Sequence, residues 1–148
     1  MTAYKIKLTY TKENEFTNEI KVTKPQDIVD FVNMMEGLKH SINERVLVIA
    51  LNTKNIIIAY SEIASGGTNC CNVDIPNIFR FLYTTPANKF ILIHNHPSGD
   101  PTPSKIDINI TKRIKEASEI MTTEFLDHII IADNDYISIF EYMNKGGE

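Results

Sequence analysis

The sequence lacks several features that mark specialised classes of protein. Among its 148 residues there is no tryptophan, and its only two cysteines, Cys70 and Cys71, are neighbours in the chain. Because adjacent cysteines cannot supply a framework of disulfides, we do not expect a small secreted disulfide-stabilised fold. The composition, 43% hydrophobic and 23% charged, is instead typical of one folded domain with a sizeable core.

Long apolar runs and an excess of basic charge are also missing. No run approaches the roughly 20 apolar residues needed to cross a bilayer. The first ten residues alternate polar and apolar side chains and lack the apolar centre of a signal peptide. We therefore expect a cytoplasmic protein without a membrane partner. The net charge of −4 does not support nucleic-acid binding, although Lys105, Lys112, Arg113 and Lys115 give one predicted helix a basic side.

The spacing of apolar residues predicts a mixed α/β (α+β) domain. Residues 3–10 and 16–23 alternate like the two strands of a hairpin, and a helix should follow between Pro25 and Gly37. The sequence thus predicts a central sheet with helices packed against it. Further strands are predicted over 45–51, 55–63, 68–73, 89–95, 124–132 and 135–143, and further helices over 75–85 and from Ser104 onwards.

Two histidines separated by one residue stand where a predicted strand gives way to a helix, in the segment HNHPSGDPTPSKID that starts at residue 94. Residues two apart on a strand point to the same face, so His94 and His96 project together. Ser104 and Asp107 have the form of a helix N-cap with an acid at the third helical position. This turn would return Asp107 to the strand end. Two imidazoles and a carboxylate, with a fourth position left for water, are typical of a catalytic zinc site.

The same residues also fit an interpretation without a metal. A single histidine at a strand end is commonly a polar edge residue, and a Ser-x-x-Asp pair is commonly no more than a capping box. The spacing alone therefore leaves both interpretations open.

The motif as a whole resembles a known signature. His94-x-His96, seven residues, Ser104, two residues and Asp107 match the JAMM motif of the JAB/MPN zinc metallopeptidases without a gap. The full HNHPSGDPTPSKID segment, the later LDHIII and the closing YISIFE are similar to the RadC-type branch of that family.

The resemblance, which covers about residues 43–141, has implications for fold and domain organisation. It implies the cytidine-deaminase-like JAB/MPN fold, with a central, mostly antiparallel sheet flanked by helices. Residues 41–148 would then form the RadC-type JAB/MPN domain. Residues 1–40 would be an N-terminal extension, a β-hairpin plus a helix, packed on the same domain.

The resemblance also implies roles for individual residues. A glutamate upstream of the histidines acts as general base in the family, and aligning NERVLVIALN with the family's first core strand puts Glu44 in that place. Glu62, at the end of the next apolar run, is the alternative. His128, in LDHIII, is a candidate for hydrogen-bonded support of a ligand, and a satisfied core or edge histidine is the simpler interpretation. The implied zinc ligands are His94, His96 and Asp107, and Ser104 would stabilise the developing oxyanion.

Three functions remain open at this point. The first is a Zn²⁺-dependent peptidase or isopeptidase that acts on an unknown peptide or protein substrate through a zinc-activated water. The second is a DNA-repair or DNA-processing role, although residues 1–40 do not resemble the helix-hairpin-helix region of longer RadC-type proteins. The third is a non-catalytic metal-binding interaction domain. If the first predicted strand lies at a sheet edge, it would also allow a homodimer.

Overall fold

Five strands and four α-helices make up the regular structure of the described residues. The computed structural model describes residues 1–7, 9, 11–13, 15, 18–66 and 72–147. The elements are α1 (Pro25–Glu36), a single 3-10 turn (Leu38–His40), β1 (Glu44–Leu51), β2 (Ile57–Gly66), α2 (Ile75–Tyr83), β3 (Lys89–Asn95), α3 (Lys105–Met121), β4 (Glu124–Ala132), β5 (Asp135–Ser138) and α4 (Ile139–Asn144).

The strands form one sheet in the order β2-β1-β3-β4-β5. Neighbouring strands are antiparallel except for β3 and β4, which run parallel. A parallel pair needs a long connection between its strands, and α3 provides it. The structure therefore confirms the predicted α+β domain with a mostly antiparallel sheet.

Apolar side chains cover both faces of the sheet. On β3, Ile91 and Ile93 belong to a core cluster that includes residues of α1. Phe90 and Leu92 point the other way and pack with residues of α2 and α3. This alternation explains why β3 is a nearly continuous apolar run, since a central strand buried on both faces has no exposed side. The face that carries Phe90 and Leu92 continues towards the end of the strand at His94.

The predicted last strand, residues 135–143, is correct only in its first half. β5 ends at Ser138, and α4 follows it directly. The hydroxyl Oγ of Ser138 accepts a hydrogen bond from the backbone N–H of Glu141 at 3.1 Å, as an N-cap residue does. The alternation of YISIF favours a strand. The Ser-x-x-Glu capping signature that overlaps it, Ser138 to Glu141, marks the start of the helix.

The predicted N-terminal hairpin falls partly on residues outside the described part of the chain, and it stays a prediction, as does the division at residue 40. Within the described residues, Lys21 forms an isolated antiparallel bridge with Ile56, beside the start of β2. The predicted strand over 68–73, with Cys70 and Cys71, also lies largely outside the described residues.

The longest described helix is α3, with 17 residues, and it carries charged side chains along its length. Among the residues that the structure describes, no helix is both long and apolar enough to cross a bilayer.

Candidate metal centre

The end of β3 and the first turn of α3 bring three metal-ligating groups together. The Nε2 atom of His94 lies 3.0 Å from Nε2 of His96 and 3.3 Å from Oδ1 of Asp107. Nε2 of His96 lies 3.4 Å from Oδ2 of Asp107. Atoms bound at about 2.0–2.1 Å in a tetrahedral zinc site are roughly 3.3 Å apart. The three side chains therefore have the donor types and the spacing that fit one such ion.

A capping box fixes the carboxylate of Asp107. Its Oδ2 accepts hydrogen bonds from the backbone N–H and the hydroxyl of Ser104, at 2.7 and 2.8 Å. The backbone N–H of Asp107 donates in return to Oγ of Ser104 at 3.1 Å. Burial would raise the pKa of the Asp107 carboxyl, but the two imidazoles beside it, together with the hydrogen bond from the backbone of Ser104, outweigh burial and hold the pKa well below its usual range. The carboxylate of Asp107 is thus ionised and held in one orientation, as a metal ligand would need to be.

The loop after β3 orients His96. Nδ1 of His96 lies 2.8 Å from the backbone carbonyl oxygen of Asp100. A carbonyl oxygen only accepts, so Nδ1 of His96 carries the proton, and in the neutral ring Nε2 keeps its lone pair for a metal. The turn requires Gly99, whose φ is +85° and where an added Cβ would lie 2.7 Å from the carboxylate of Asp133.

Glu44 lies beside the three ligands at the start of β1. Its Oε1 is 3.9 Å from Nε2 of His94, and its side chain is only 12% exposed. That distance exceeds the spacing of two atoms bound to the same zinc ion. The carboxylate of Glu44 is therefore better placed to contact a metal-bound water than the metal itself. Glu44, His94, His96 and Asp107 together offer ligand atoms that all lie within 4.8 Å of one another.

Glu62, the alternative general base, lies outside this cluster. Its carboxylate is paired with the guanidinium of Arg45 at 2.6 Å. Arg45 follows Glu44 on β1, and successive side chains of a strand point to opposite faces of the sheet. The structure therefore brings Glu44 to the histidines and leaves Glu62 on the other face.

Asn95, between the two histidines, was not singled out by the sequence analysis. It is 2% exposed and accepts a hydrogen bond from the backbone N–H of Arg45 at 2.8 Å. Its side-chain amide donates to the backbone carbonyls of Ser41 and Asn43, at 3.3 and 3.0 Å. These bonds fix the loop that leads into Glu44. Asn95 therefore links the histidine strand to the segment that carries the glutamate.

His128 is also brought to the site, from β4. It is 1% exposed, and its Nε2 lies 2.8 Å from Nδ1 of His94. Burial, followed by the repulsion of nearby imidazoles, lowers the pKa of His128 well below its ordinary value, so this ring is neutral. Its Nδ1 lies 2.6 Å from Oγ1 of Thr111. Thr111 was not among the residues predicted for the site, although its position four residues after Asp107 places both on one face of α3.

A pocket of about 240 Å³ opens beside these groups. Apolar side chains from β1 and α3 form part of its wall, and Ile106 at its border is 64% exposed. Its lining also contains polar groups of α3, so an extended ligand could bind with its apolar parts on the apolar wall and its polar groups on these side chains. The lining residues are Glu44, Val46, Asn72, Val73, His94, Ile106, Asp107, Asn109, Ile110, Arg113 and His128.

Comparison with known proteins identifies the family. Residues 22–145 match the family model described as RadC-like JAB domain. A UPF0758 protein of Clostridium perfringens is 45% identical over 130 residues, which are 88% of this chain and 56% of that protein. UPF0758 proteins of Clostridium botulinum and Staphylococcus haemolyticus are 48% and 40% identical, over 83% and 86% of this chain and 53% and 55% of theirs. The chain spans about half the length of these relatives. It belongs to the RadC-like JAB domain family.

Proposed function

We propose that the protein is a zinc-dependent hydrolase of amide or isopeptide bonds in a peptide or protein substrate. One observation carries this proposal: two imidazole nitrogens and a carboxylate oxygen converge at tetrahedral spacing, with a second carboxylate, that of Glu44, beside them. A structural zinc site would be closed by four protein ligands, whereas three ligands and a nearby base are typical of a catalytic site. His94, His96 and Asp107 are the proposed ligands.

The chemistry divides between the ion and the side chains of the chain. Zinc bound here would act as a Lewis acid on the substrate carbonyl and lower the pKa of its water to about 7. Glu44 takes a proton from the attacking water and passes it to the leaving amine. Ser104 donates its hydroxyl to the oxygen on which negative charge develops, after releasing its hydrogen bond to Asp107.

The pocket supports a peptide-like substrate. Val46, Ile106 and Ile110 offer an apolar surface, while Asn109 and Arg113 offer hydrogen-bond donors at its border. A peptide has the same combination of apolar side chains and polar backbone groups. We therefore propose that the substrate segment lies along α3, with its scissile carbonyl at the ligand cluster.

Metal analysis tests the ligand assignment. Protein purified without added zinc should contain about one zinc per chain by mass spectrometry, and the double variant His94→Ala/His96→Ala should contain almost none. His40→Ala is the matched control, because His40 is an exposed histidine of the 3-10 turn and should retain the metal. Chelation should lower the melting temperature of the wild type and of the control but not that of the double variant. Stoichiometric zinc in the double variant contradicts the assignment.

Turnover is tested separately with a library of quenched fluorescent peptides and a matched set with isopeptide linkages. Cleavage should disappear on chelation and return with zinc. A protein that binds zinc tightly but cleaves no member of either set would support a non-catalytic metal-binding domain instead. Cleavage that survives in the His94→Ala/His96→Ala variant would be due to a contaminating protease.

A further inference from the structure

Two buried side chains, His128 and Thr111, connect His94 to the backbone carbonyl of Asp107. Nδ1 of His94 contacts Nε2 of His128 at 2.8 Å, and Nδ1 of His128 contacts Oγ1 of Thr111 at 2.6 Å. Oγ1 of Thr111 lies 2.6 Å from the backbone carbonyl oxygen of Asp107. Thr111 has no solvent exposure, and His94 and His128 are 2% and 1% exposed. Water therefore has little access to this chain of hydrogen bonds.

The carbonyl oxygen at the end of this chain determines which group donates in each of the three hydrogen bonds. The carbonyl oxygen of Asp107 only accepts, so the single hydroxyl proton of Thr111 points to it. Oγ1 of Thr111 then accepts from His128, which places the proton of His128 on Nδ1. The bare Nε2 of His128 accepts in turn from Nδ1 of His94. The proton of His94 is therefore on Nδ1, and its Nε2 carries the lone pair that faces His96 and Asp107.

We propose that Thr111 and His128 act as a pair of positioning residues that fixes His94 in its metal-binding tautomer. The proposal rests on the proposed function in assuming that a metal binds at Nε2 of His94. The reverse direction, with Thr111 donating to His128 and His128 donating to His94, would place the proton of His94 on Nε2 and block that atom. A hydrogen bond to the second ring nitrogen commonly selects the tautomer of a metal-bound histidine.

The two histidine ligands are thus oriented in different ways. His96 donates directly to the Asp100 carbonyl in the loop after β3. His94 lies within the sheet, where the neighbouring backbone carbonyls are used in strand pairing. His94 is instead connected to a carbonyl oxygen on α3 indirectly, through the imidazole of His128 on β4 and the hydroxyl of Thr111. This path joins β3, β4 and α3 at the site, and it ends on the residue that supplies the carboxylate ligand.

The experiment measures zinc affinity by competition with a chromogenic chelator for Thr111→Val, Thr111→Ser and a matched control. Thr111→Val keeps the size of the side chain and removes the acceptor for His128, so zinc should bind roughly 10- to 100-fold more weakly. Thr111→Ser keeps the hydroxyl and should restore affinity to within a few-fold of the wild type. Thr123→Val is the control, because Thr123 is also buried, at 4% exposed, but follows the far end of α3. It should bind zinc like the wild type.

A spectroscopic readout tests the direction of the hydrogen bonds without any variant. Two-bond proton–nitrogen correlation spectra of the imidazole rings distinguish a protonated nitrogen from one with a lone pair. In the wild type, with and without zinc, His128 should carry its proton on Nδ1. A proton on Nε2 of His128 would overturn the proposal, and so would a Thr111→Val variant that is folded and binds zinc as tightly as the wild type.

These outcomes are distinguishable from failure of the proposed function. If the wild type binds no zinc, the ligand assignment fails, while the ring spectra of the metal-free protein still decide the direction of the hydrogen bonds. If wild type and Thr111→Val bind zinc equally, the metal site stands and the positioning pair is rejected. Circular dichroism of each variant establishes that it is folded before its affinity is compared.

Discussion

Glu62 accepts hydrogen bonds on Oε2 from both Nε and Nη2 of Arg45, at 2.9 and 2.6 Å. Nη2 of Arg45 also lies 2.8 Å from Oε2 of Glu36, so the guanidinium joins β1 and β2 to the end of α1. Glu44, one residue before Arg45, points to the opposite face and lies beside His94. The two glutamates that the sequence left as alternatives thus have different surroundings: Glu62 lies in an ion-pair network and Glu44 lies at the candidate metal centre.

Replacing each glutamate by glutamine separates these two roles. Glu44→Gln should retain zinc but lose turnover by roughly 10²- to 10⁴-fold, because the amide cannot accept the proton. Glu62→Gln should retain both zinc and turnover and lose about 1 kcal/mol of stability or less, since its ion pair is partly exposed. Metal content, peptide cleavage and urea unfolding provide the measurements. Turnover that is lost in Glu62→Gln but kept in Glu44→Gln would reverse the assignment.

Removing the Ser104 hydroxyl should lower both the stability of the protein and its affinity for zinc. Ser104→Ala loses the N-cap of α3 and one hydrogen bond to Oδ2 of Asp107, so stability should fall by about 1 kcal/mol and zinc should bind more weakly. Ser138→Ala is the matched control, because Ser138 caps α4 in the same way. It should lower stability comparably and leave zinc affinity unchanged. Equal zinc affinities of the two variants would show that the capping box does not orient the ligand.

Asn95 should influence catalysis from the face of the sheet opposite the metal. Asn95→Ala removes three hydrogen bonds and leaves the part-buried N–H of Arg45 without its acceptor, which should cost about 1–3 kcal/mol of stability. Zinc should remain bound, while displacement of Glu44 should lower turnover by up to about 100-fold. Asn43→Ala, in the same loop but with an exposed side chain, serves as the control. A variant with lower stability and normal turnover would limit Asn95 to a structural role.

Asp127 should make stability depend on pH in a direction opposite to most carboxylates. Burial raises its pKa, although hydrogen bonds from Ser138 and from the backbone of His128 and Phe140 oppose the shift. A raised folded-state pKa means that the folded protein binds the proton more tightly than the unfolded chain. The contribution of Asp127 to the free energy of unfolding therefore increases as pH falls from neutral towards about 4, near the unfolded-state pKa.

The comparison with Asp127→Asn isolates this contribution. The amide oxygen still accepts hydrogen bonds from the backbone N–H groups of His128 and Phe140, but it does not titrate. The stability of the wild type relative to the variant should rise between pH 7 and about pH 4. Urea unfolding at several pH values provides the measurement. A difference that stays constant or falls over this interval contradicts the raised pKa.

Local sequence patterns predicted much of the fold. β3 and β4 lie where strands were predicted over 89–95 and 124–132, and α1 lies between Pro25 and Gly37 as its start and stop residues predicted. The segment from Ser138 was misassigned because apolar alternation was weighed above a capping signature. A helix of six residues has too few turns to show a helical periodicity in its sequence, whereas its N-cap residue is still recognisable.

The site was predictable where its residues are close in sequence and not where they meet only in the fold. His94, His96, Ser104 and Asp107 lie within 14 residues, and local strand and capping rules are sufficient to bring them together. The choice between Glu44 and Glu62 depends on the face of the sheet to which each side chain points, and this is set by how the strands pair in the fold. The contact between Thr111 and His128 spans 17 residues and two elements, so no local rule reports it.

The position of the contributing strands has a consequence for fluctuations. β1, β3 and β4 occupy the middle of the sheet, while β2 and β5 form the edges. The backbone of His94 on β3 is paired on both sides, with Val46 of β1 and Ile130 of β4. Edge strands open locally at low free-energy cost, whereas central strands exchange their amide hydrogens only in larger unfolding events. The backbone geometry at His94 should therefore survive fraying of either edge, and the amides beside His94 should be among the slowest in the protein to exchange.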